Sequence, residues 1–363
     1  MRTLYVPYYG EANEYQNLLT RAVAEEGVET VEGEMYLLFP LLRNYLGTDV
    51  DLIHFIWTHP FFIVGDYTGS HLLDAVLSYG RAVLFVLDLL AVRLLGAAFV
   101  WTVHNRHNHE RYHVRLDHTV SRLLARLVDE FTVECERAKW EVVDLFGAPA
   151  GRVHVVPEGS YVGSYPDEVG KREARDRLGV DDDAFLFVYF GQLREYKEVP
   201  SLVEAFRALD VPDARLLVAG NPYTDEIEAR VGGLVAATDG ASAVFEFVPN
   251  EEVQLYMNAA DVVTLPYREI MTSGSVLLAM SFGRAVVAPS LGCIPVLVDE
   301  DGAFLYDRSA PDGLRAAMRA AYDEGPERLE RMGDANYDRA TAMTWDEVGT
   351  ETVEIYERAF GLA

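Results

Sequence analysis

Phe185-Leu186-Phe187-Val188-Tyr189-Phe190-Gly191-Gln192-Leu193-Arg194-Glu195-Tyr196-Lys197 is the stretch on which the fold of this chain turns. Its six opening apolar residues predict a buried strand, and Gly191 ends it. An amphipathic run from Val199 to Leu209 follows, so a strand, a tight turn, a cation and a helix stand in order. A glycine lets the backbone approach a ligand, and a helix start supplies unpaired N–H groups suited to an anion. Lys197 adds a point charge there, and Arg194 a planar fork that can hold phosphate in two places. Lysine is otherwise scarce: Lys139, Lys171 and Lys197 are the three lysines among 31 basic residues. A diphosphate suits such a turn; the plain alternative is a surface lysine after a strand.

Further on, Ala260-Asp261-Val262-Val263-Thr264-Leu265-Pro266-Tyr267 predicts a second buried strand, closed by proline. After Arg268-Glu269-Ile270-Met271 come Thr272, Ser273, Gly274 and Ser275, then the apolar segment Val276 to Phe282 and Gly283. The small polar residues stand where a helix begins and Gly283 where it ends. Their N–H groups and hydroxyls predict a second anion cradle.

The ordered set Gly-x-Leu-x-x-x-Lys, Ala-Ala-Asp-x-x-x-x-Pro and Ser-Gly-Ser-x-x-x-Ala-Met-x-x-Gly resembles the donor domain of the retaining glycosyltransferase family 4. It continues through Ala288-Pro289-Ser290-Leu291-Gly292 to Asp301-Gly302-Ala303-Phe304-Leu305. The resemblance implies an α/β chain of GT-B fold: two Rossmann-like, doubly wound parallel-sheet domains facing a central cleft. It places donor-binding roles on Gly10, Gln192, Arg194, Lys197, Thr272, Ser273, Gly274 and Ser275. The chain departs from the family in four places. The two glutamates usually found eight residues apart fall at Ile270 and Leu278, neither acidic. Glu269, one residue away, is the substitute for the first. Gln192 stands where arginine is often found, and Gly-Gly-x-Pro-Glu reads Gly292-Cys293-Ile294-Pro295-Val296. The branch is divergent, with the source expected to be a halophilic archaeon.

In the N-terminal half, the strand Thr3 to Val6 is followed by Pro7-Tyr8-Tyr9-Gly10-Glu11-Ala12-Asn13-Glu14-Tyr15-Gln16 and a helix-like run to Ala24. The resemblance makes Gly10 to Gln16 a loop facing the donor phosphates and the acceptor, with Asn13, Tyr15 and Gln16 on the acceptor side. A polar turn capped by Asn13 is the alternative. Asp51 to Trp57 and Gly96 to Val103 predict two more strands. Five of the nine histidines lie between His104 and His118, with Arg106, Arg111 and Arg115 among them. Metal binding is disfavoured: no cysteine is near, and His104, His107 and His109 lack the spacing of ligands one helical turn apart. Thr-Val-His-Asn followed by His109-Glu110 resembles the family's histidine motif, so His104 is expected to touch the donor sugar, with His109 and Glu110 on the acceptor side. The other histidines and arginines are expected on a mobile loop.

Half of the 363 residues are apolar, enough for two domains of ordinary size. The expected division is 1–165, 166–343 and a helix over 344–363 returning to the first domain. Aspartate and glutamate exceed arginine and lysine, 58 against 31, for a net charge of −27. Such a field excludes nucleic acid as a natural partner. Acid excess with little lysine suits a salt-rich cell, where charges are screened within about 3 Å at roughly molar salt. Cys135 and Cys293 are too few for a disulfide framework, and no signal peptide is visible, so a cytoplasmic location is expected. Ala82 to Val103 is strongly apolar, but Asp88, Arg93 and Gly96 interrupt it. A buried helix and a strand are expected there, with peripheral contact at the inner membrane face as the alternative.

The expected activity is transfer of a sugar from a nucleoside diphosphate-sugar to a hydroxyl of a lipid-linked sugar or glycan, with retention and without a metal or other cofactor. Lys197 and Arg194 would stabilise the leaving diphosphate, His104 the sugar or phosphate, and Glu269 a sugar hydroxyl. A GT-B sugar-nucleotide 2-epimerase and a non-catalytic donor-binding subunit are the competing expectations.

Overall fold

The computed structural model describes residues 1–10, 13–65 and 67–361. It divides into two compact units, Met1–Gly159 with Thr344–Ala363, and Ser160–Met343.

The first unit runs β1 (Arg2–Tyr5), α1 (Glu14–Glu25), β2 (Glu29–Glu32), α2 (Pro40–Thr48), β3 (Leu52–Phe55), α3 (His71–Leu94), β4 (Ala98–Thr102), α4 (Val114–Leu124), β5 (Glu130–Val133), α5 (Glu136–Phe146) and β6 (Val153–Val155). Its six strands lie in the order β2-β1-β3-β4-β5-β6, all parallel. Parallel neighbours need crossover helices, which cover the sheet; β3 and β4 are accordingly buried at every position.

The second unit runs α6 (Lys171–Leu178), β7 (Phe185–Phe190), α7 (Val199–Arg207), β8 (Ala214–Ala219), α8 (Asp225–Ala236), β9 (Ala241–Val244), α9 (Val253–Ala259), β10 (Val262–Thr264), α10 (Gly274–Ser281), β11 (Ala285–Pro289), α11 (Ile294–Leu297), β12 (Ala303–Tyr306), α12 (Gly313–Glu324) and α13 (Pro326–Thr341). Its sheet is ordered β12-β11-β10-β7-β8-β9, again parallel throughout. Strand β10 begins just after Asp261, whose N donates to Leu186 O at 3.0 Å. Its carboxylate accepts from Leu186 N at 2.6 Å and Arg175 Nη2 at 2.7 Å.

The last helix, α14 (Trp345–Ala359), belongs to the first unit. Val348, Ile355 and Tyr356 share one buried cluster with Tyr5, Leu19, Val23 and Leu52. A β-carbon on Gly349 would lie 2.7 Å from Ala22 O, so the helix meets α1 at backbone range.

Each sheet reverses its winding once, between β1 and β3 in the first and between β7 and β10 in the second. Open α/β sheets bind ligands outside the carboxyl ends of strands at such a reversal. In the second unit this brings together the turn after Phe190 and the loop after Thr264, 74 residues apart in the chain by subtraction of those numbers.

One expectation fails. The apolar helix is not buried: α3 begins at His71, eleven residues before Ala82, and carries its large apolar residues outward. The inner side instead holds Asp74, Ser78, Ala82, Phe85, Asp88, Leu89 and Val92.

Candidate active site

In the second unit, the turn after β7 runs beside the turn after β8. Gly191 N donates to Ala219 O and Leu193 N to Asn221 O, each at 3.0 Å, and Tyr223 N returns to Leu193 O at 3.0 Å. A β-carbon on Gly220 would sit 2.0 Å from Gly191 O, and its φ is +149°, so only glycine serves. Lys197 closes a single 3-10 turn before α7. Its Nζ lies 3.5 Å from the Tyr267 hydroxyl and 4.7 Å above that ring. The Tyr267 hydroxyl is 2.9 Å from Ser273 Oγ, which caps α10 by accepting from Val276 N at 3.3 Å. A Lys197–Tyr267–Ser273 chain therefore joins the two predicted cradles. Arg268 N ties them again by donating to Tyr196 O at 2.8 Å.

Burial works against the charge on Lys197; the surrounding Tyr196, Tyr267 and Tyr189 outweigh it, and its pKa moves up, leaving a fixed ammonium. Thr272 Oγ1 is buried without a hydrogen-bond partner among the described residues, beside the start of α10. Gly274 is the first residue of that helix, and Ser275 Oγ lies 3.3 Å from where a Gly191 β-carbon would be. Arg194 is stacked over Tyr223 at 4.4 Å and donates to Gln192 Oε1 at 2.8 Å, so Gln192 helps hold the guanidinium. Glu269 is half-buried in the loop between β10 and α10. Leu278 lies in the apolar core, and Ile270 O presses on Gly292, where a β-carbon would come within 2.5 Å.

In the first unit, His104 stands two residues beyond β4 and Glu134 one residue beyond the neighbouring β5. His104 Nδ1 is 2.6 Å from Glu134 Oε1, and their side chains are 8% and 5% exposed. His104 Nε2 and Glu134 Oε2 are buried with no hydrogen-bond partner among the described residues. Burial lowers the His104 pKa, but the carboxylates of Glu134 and Glu158 outweigh it and the net direction is up. The imidazole is boxed by Tyr15, edge-on at 4.7 Å, and by Trp57, stacked at 5.8 Å. Glu134 was missed from sequence; the available signal was an acid closing the apolar strand Phe131–Val133.

Beneath this pair runs a buried polar chain. Tyr5 and Tyr356 hydroxyls meet at 2.6 Å, Tyr356 and His54 Nδ1 at 2.7 Å, His54 Nε2 and Thr102 Oγ1 at 2.7 Å, and Thr102 and Thr132 at 2.6 Å. Burial, reinforced by the charge of His104, pushes His54 down to about 3, so it is neutral.

The predicted acceptor-side loop is placed in part. Glu11 and Ala12 lie outside the described residues. Gly10 O accepts from Asn13 N, and the Asn13 side chain caps α1 by accepting from Gln16 N at 3.1 Å. Gln16 corrects the expectation: it is fully buried, and its amide donates to Pro7 O and accepts from Tyr9 N, both at 2.9 Å. Its place is in shaping the loop, not touching an acceptor. His109 lies half-buried with its ring 6.4 Å from His59, and Glu110 is half-buried beside it. The segment expected to be mobile is cross-braced: Arg106 donates two hydrogen bonds to the Glu141 carboxylate, at 2.6 and 2.8 Å, and Asn108 N donates to Asp117 at 2.6 Å. Among the described residues, no three His, Cys, Asp or Glu side chains converge in a way that could hold a metal ion.

Residues 184–324 match the family model described as "Glycosyl transferases group 1". The chain is 28% identical over 254 residues to D-inositol 3-phosphate glycosyltransferase of Kineococcus radiotolerans, covering 64% of this chain and 57% of that one. It is 31% identical over 162 residues to GDP-mannose:glycolipid 4-beta-D-mannosyltransferase of Xanthomonas campestris pv. campestris, covering 41% and 46%. The chain thus spans about half the length of these curated relatives. Among solved structures, sucrose-phosphate synthase from Thermosynechococcus elongatus superimposes with a TM-score of 0.77 at 17% identity, covering 100% of this chain and 99% of that one. Anabaena HepE in complex with UDP-glucose superimposes with a TM-score of 0.75 at 14% identity, covering 98% and 99%. The fold is GT-B, built from two Rossmann-like α/β domains.

Proposed function

We propose that this chain is a glycosyltransferase that moves a sugar from a nucleoside diphosphate-sugar to a hydroxyl acceptor, with retention and without a metal. One observation carries it. Within the segment that matches the group 1 glycosyltransferases, Lys197, Tyr267 and Ser273 connect the turn after β7 with the start of α10 at the reversal of the sheet. Negative charge develops on the diphosphate as its bond to the anomeric carbon breaks. Lys197 meets it as a pre-placed ammonium, with the N–H groups opening α10 and the Thr272 hydroxyl beside it. Arg194, held on Tyr223, supplies a further cation, so neutralisation requires no divalent ion.

In the first unit, Glu134 holds the His104 ring by Nδ1 and favours its protonated form, in which Nε2–H donates to a sugar or phosphate oxygen. Glu269 takes a sugar hydroxyl. The acceptor is a lipid-linked sugar or a glycan; the glycolipid named for the Xanthomonas relative supports the former. The transferase and synthase names among the relatives favour transfer over 2-epimerisation or a non-catalytic subunit.

Thermal shifts against UDP-, GDP-, ADP- and TDP-sugars, with and without EDTA, test the donor site. Selective stabilisation that survives EDTA and is lost in Lys197→Ala is expected. Product NMR then reads the anomeric configuration, and an inverted product would overturn retention. A donor altered with no acceptor present would turn the assignment to epimerisation.

A further inference from the structure

The helix α3 presents its apolar side to the outside. Leu72, Val76, Val83, Leu87, Leu90 and Leu94 recur at helical spacing and are all exposed, Leu94 at 87%. They form one stripe about 33 Å long at 1.5 Å per residue. The opposite side packs Ala82, Phe85, Leu89 and Val92 into the first unit, and buried polar residues among them pin it there. Asp88 accepts from Leu41 N at 2.8 Å and Leu42 N at 2.9 Å, Asp74 from Thr68 N at 3.1 Å, and Ser78 from Val64 N at 2.9 Å. A surface helix ordinarily keeps its outward side polar, whereas this one is apolar on both. The apolar surface continues across a small cavity, lined also by Arg81, Leu84 and Phe85, to the preceding segment, with exposed Met35, Leu37 and Leu38, Leu37 at 85%.

Charge separates this face from the rest. Acids occupy 58 of 363 positions, about one in six, so a 24-residue helix should carry four. It carries two, Asp74 and Asp88, and both are buried. No carboxylate is left on the outward side. The helix's two arginines are also engaged, Arg81 with Pro60 O at 2.8 Å and Arg93 with Asp129 at 2.6 Å. The face is therefore neutral as well as apolar, on a chain whose net charge is −27. A second copy as occupant would bring a further −27 to the contact; a layer of neutral lipid would bring none.

We propose that the outward side of α3, with residues 35–38, seats this protein on a lipid bilayer by apolar insertion. Because the inner side is anchored in the first unit, the helix lies in the interface rather than crossing it. With no basic cluster to seek anionic headgroups and a negative field around it, the contact is opposed by anionic lipid and strengthened by salt, the reverse of polybasic docking. It goes beyond the proposed transfer reaction, and its assay uses neither donor nor acceptor, so the two fail separately.

The test is co-sedimentation of the full chain with sucrose-loaded vesicles of phosphatidylcholine, or of phosphatidylcholine with phosphatidylglycerol, at roughly 0.1 M and 1 M KCl. Wild type is expected to bind the neutral vesicles, to bind the anionic ones less at low salt, and to recover at high salt. Val76→Glu/Val83→Glu/Leu87→Glu/Leu90→Glu should lower binding roughly tenfold or more. Circular dichroism and the melting temperature establish that the variant is folded; if it is not, Val83→Gln/Leu87→Gln replaces it. Wild type that stays in solution with neutral vesicles overturns the proposal. So does binding confined to anionic vesicles and released by salt. A dimer in sedimentation velocity that the variant dissociates, without vesicle binding, assigns the face to a second copy instead.

Discussion

The two candidate sites are built in opposite ways. In the second unit, the chemistry sits on two runs of near-consecutive residues, 191–197 and 267–275, brought together by one reversal of strand order. In the first, single residues from separate elements converge: Tyr15 from α1, Trp57 after β3, His104 after β4, Glu134 after β5 and Trp345 from α14. The first kind of site depends on backbone and tolerates exchange of side chains; the second depends on particular side chains held by distant partners. Phosphate is a backbone ligand, served by glycines and helix starts. Discrimination among sugars and acceptors requires side chains.

That contrast can be broken from either side. The largest effect is expected for Lys197→Ala, which removes the buried ammonium that links the two cradles. Turnover should fall by roughly 10² to 10³, about 3 kcal/mol in the barrier, with the circular dichroism unchanged. A loss under tenfold would remove Lys197 from the leaving-group site.

His54 sharpens the first unit's dependence on its interior. The unfolded chain binds a proton at this side chain below its usual 6.5, whereas the folded chain resists until about 3. Its contribution is therefore constant above pH 6.5, and stability declines as pH falls through that window. The decline is about 2 kcal/mol at pH 5, since one pH unit is worth about 1.4 kcal/mol. His54→Gln should flatten this limb; urea midpoints of both proteins at pH 7 and pH 5 measure it, and equal losses would assign the acid sensitivity elsewhere.

Glu134→Gln should cost roughly tenfold in kcat/KM, about 1.4 kcal/mol. It also removes the main charge raising His104, so NMR titration should place that imidazole lower, and the alkaline limb of the rate profile should move to lower pH with it. Restoration of both by Glu134→Asp would separate charge from shape. An unmoved titration would make Glu134 a packing residue. Smallest, Ser273→Ala should remove a helix cap worth about 1 kcal/mol, read as a lowered melting temperature of the second unit.

The same contrast explains what was legible. Strand β7, the turn to Lys197, the Ser273 cap and the end of α10 before Gly283 are local, and each was readable from residue order. Tyr267 appeared only as the end of a strand; its bridge between Lys197 and Ser273 depends on β7 and β10 being neighbours. Gly220 carried no signal because its requirement comes from a backbone 29 positions earlier by subtraction, at Gly191. In the first unit, His104 was visible at a strand end, whereas Glu134 gains meaning only once β4 and β5 pair. Gln16 was misplaced because a polar residue near a loop reads as a ligand contact when it is a brace for backbone. A buried helix was preferred over an outward apolar side for α3 because periodicity reports that a helix has two sides, not which of them meets the protein.

The helix α14 has a consequence for how the protein is made. Unit two is one uninterrupted stretch, whereas unit one needs Val348, Ile355 and Tyr356 to close its core and its buried hydrogen-bond chain. As the chain leaves the ribosome, the first half must wait, its sheet lacking a wall, while the second half completes itself. Birth order and finishing order are reversed, and a nonsense codon near Thr344 would spare the Lys197–Tyr267–Ser273 chain yet leave the N-terminal half a client for chaperones.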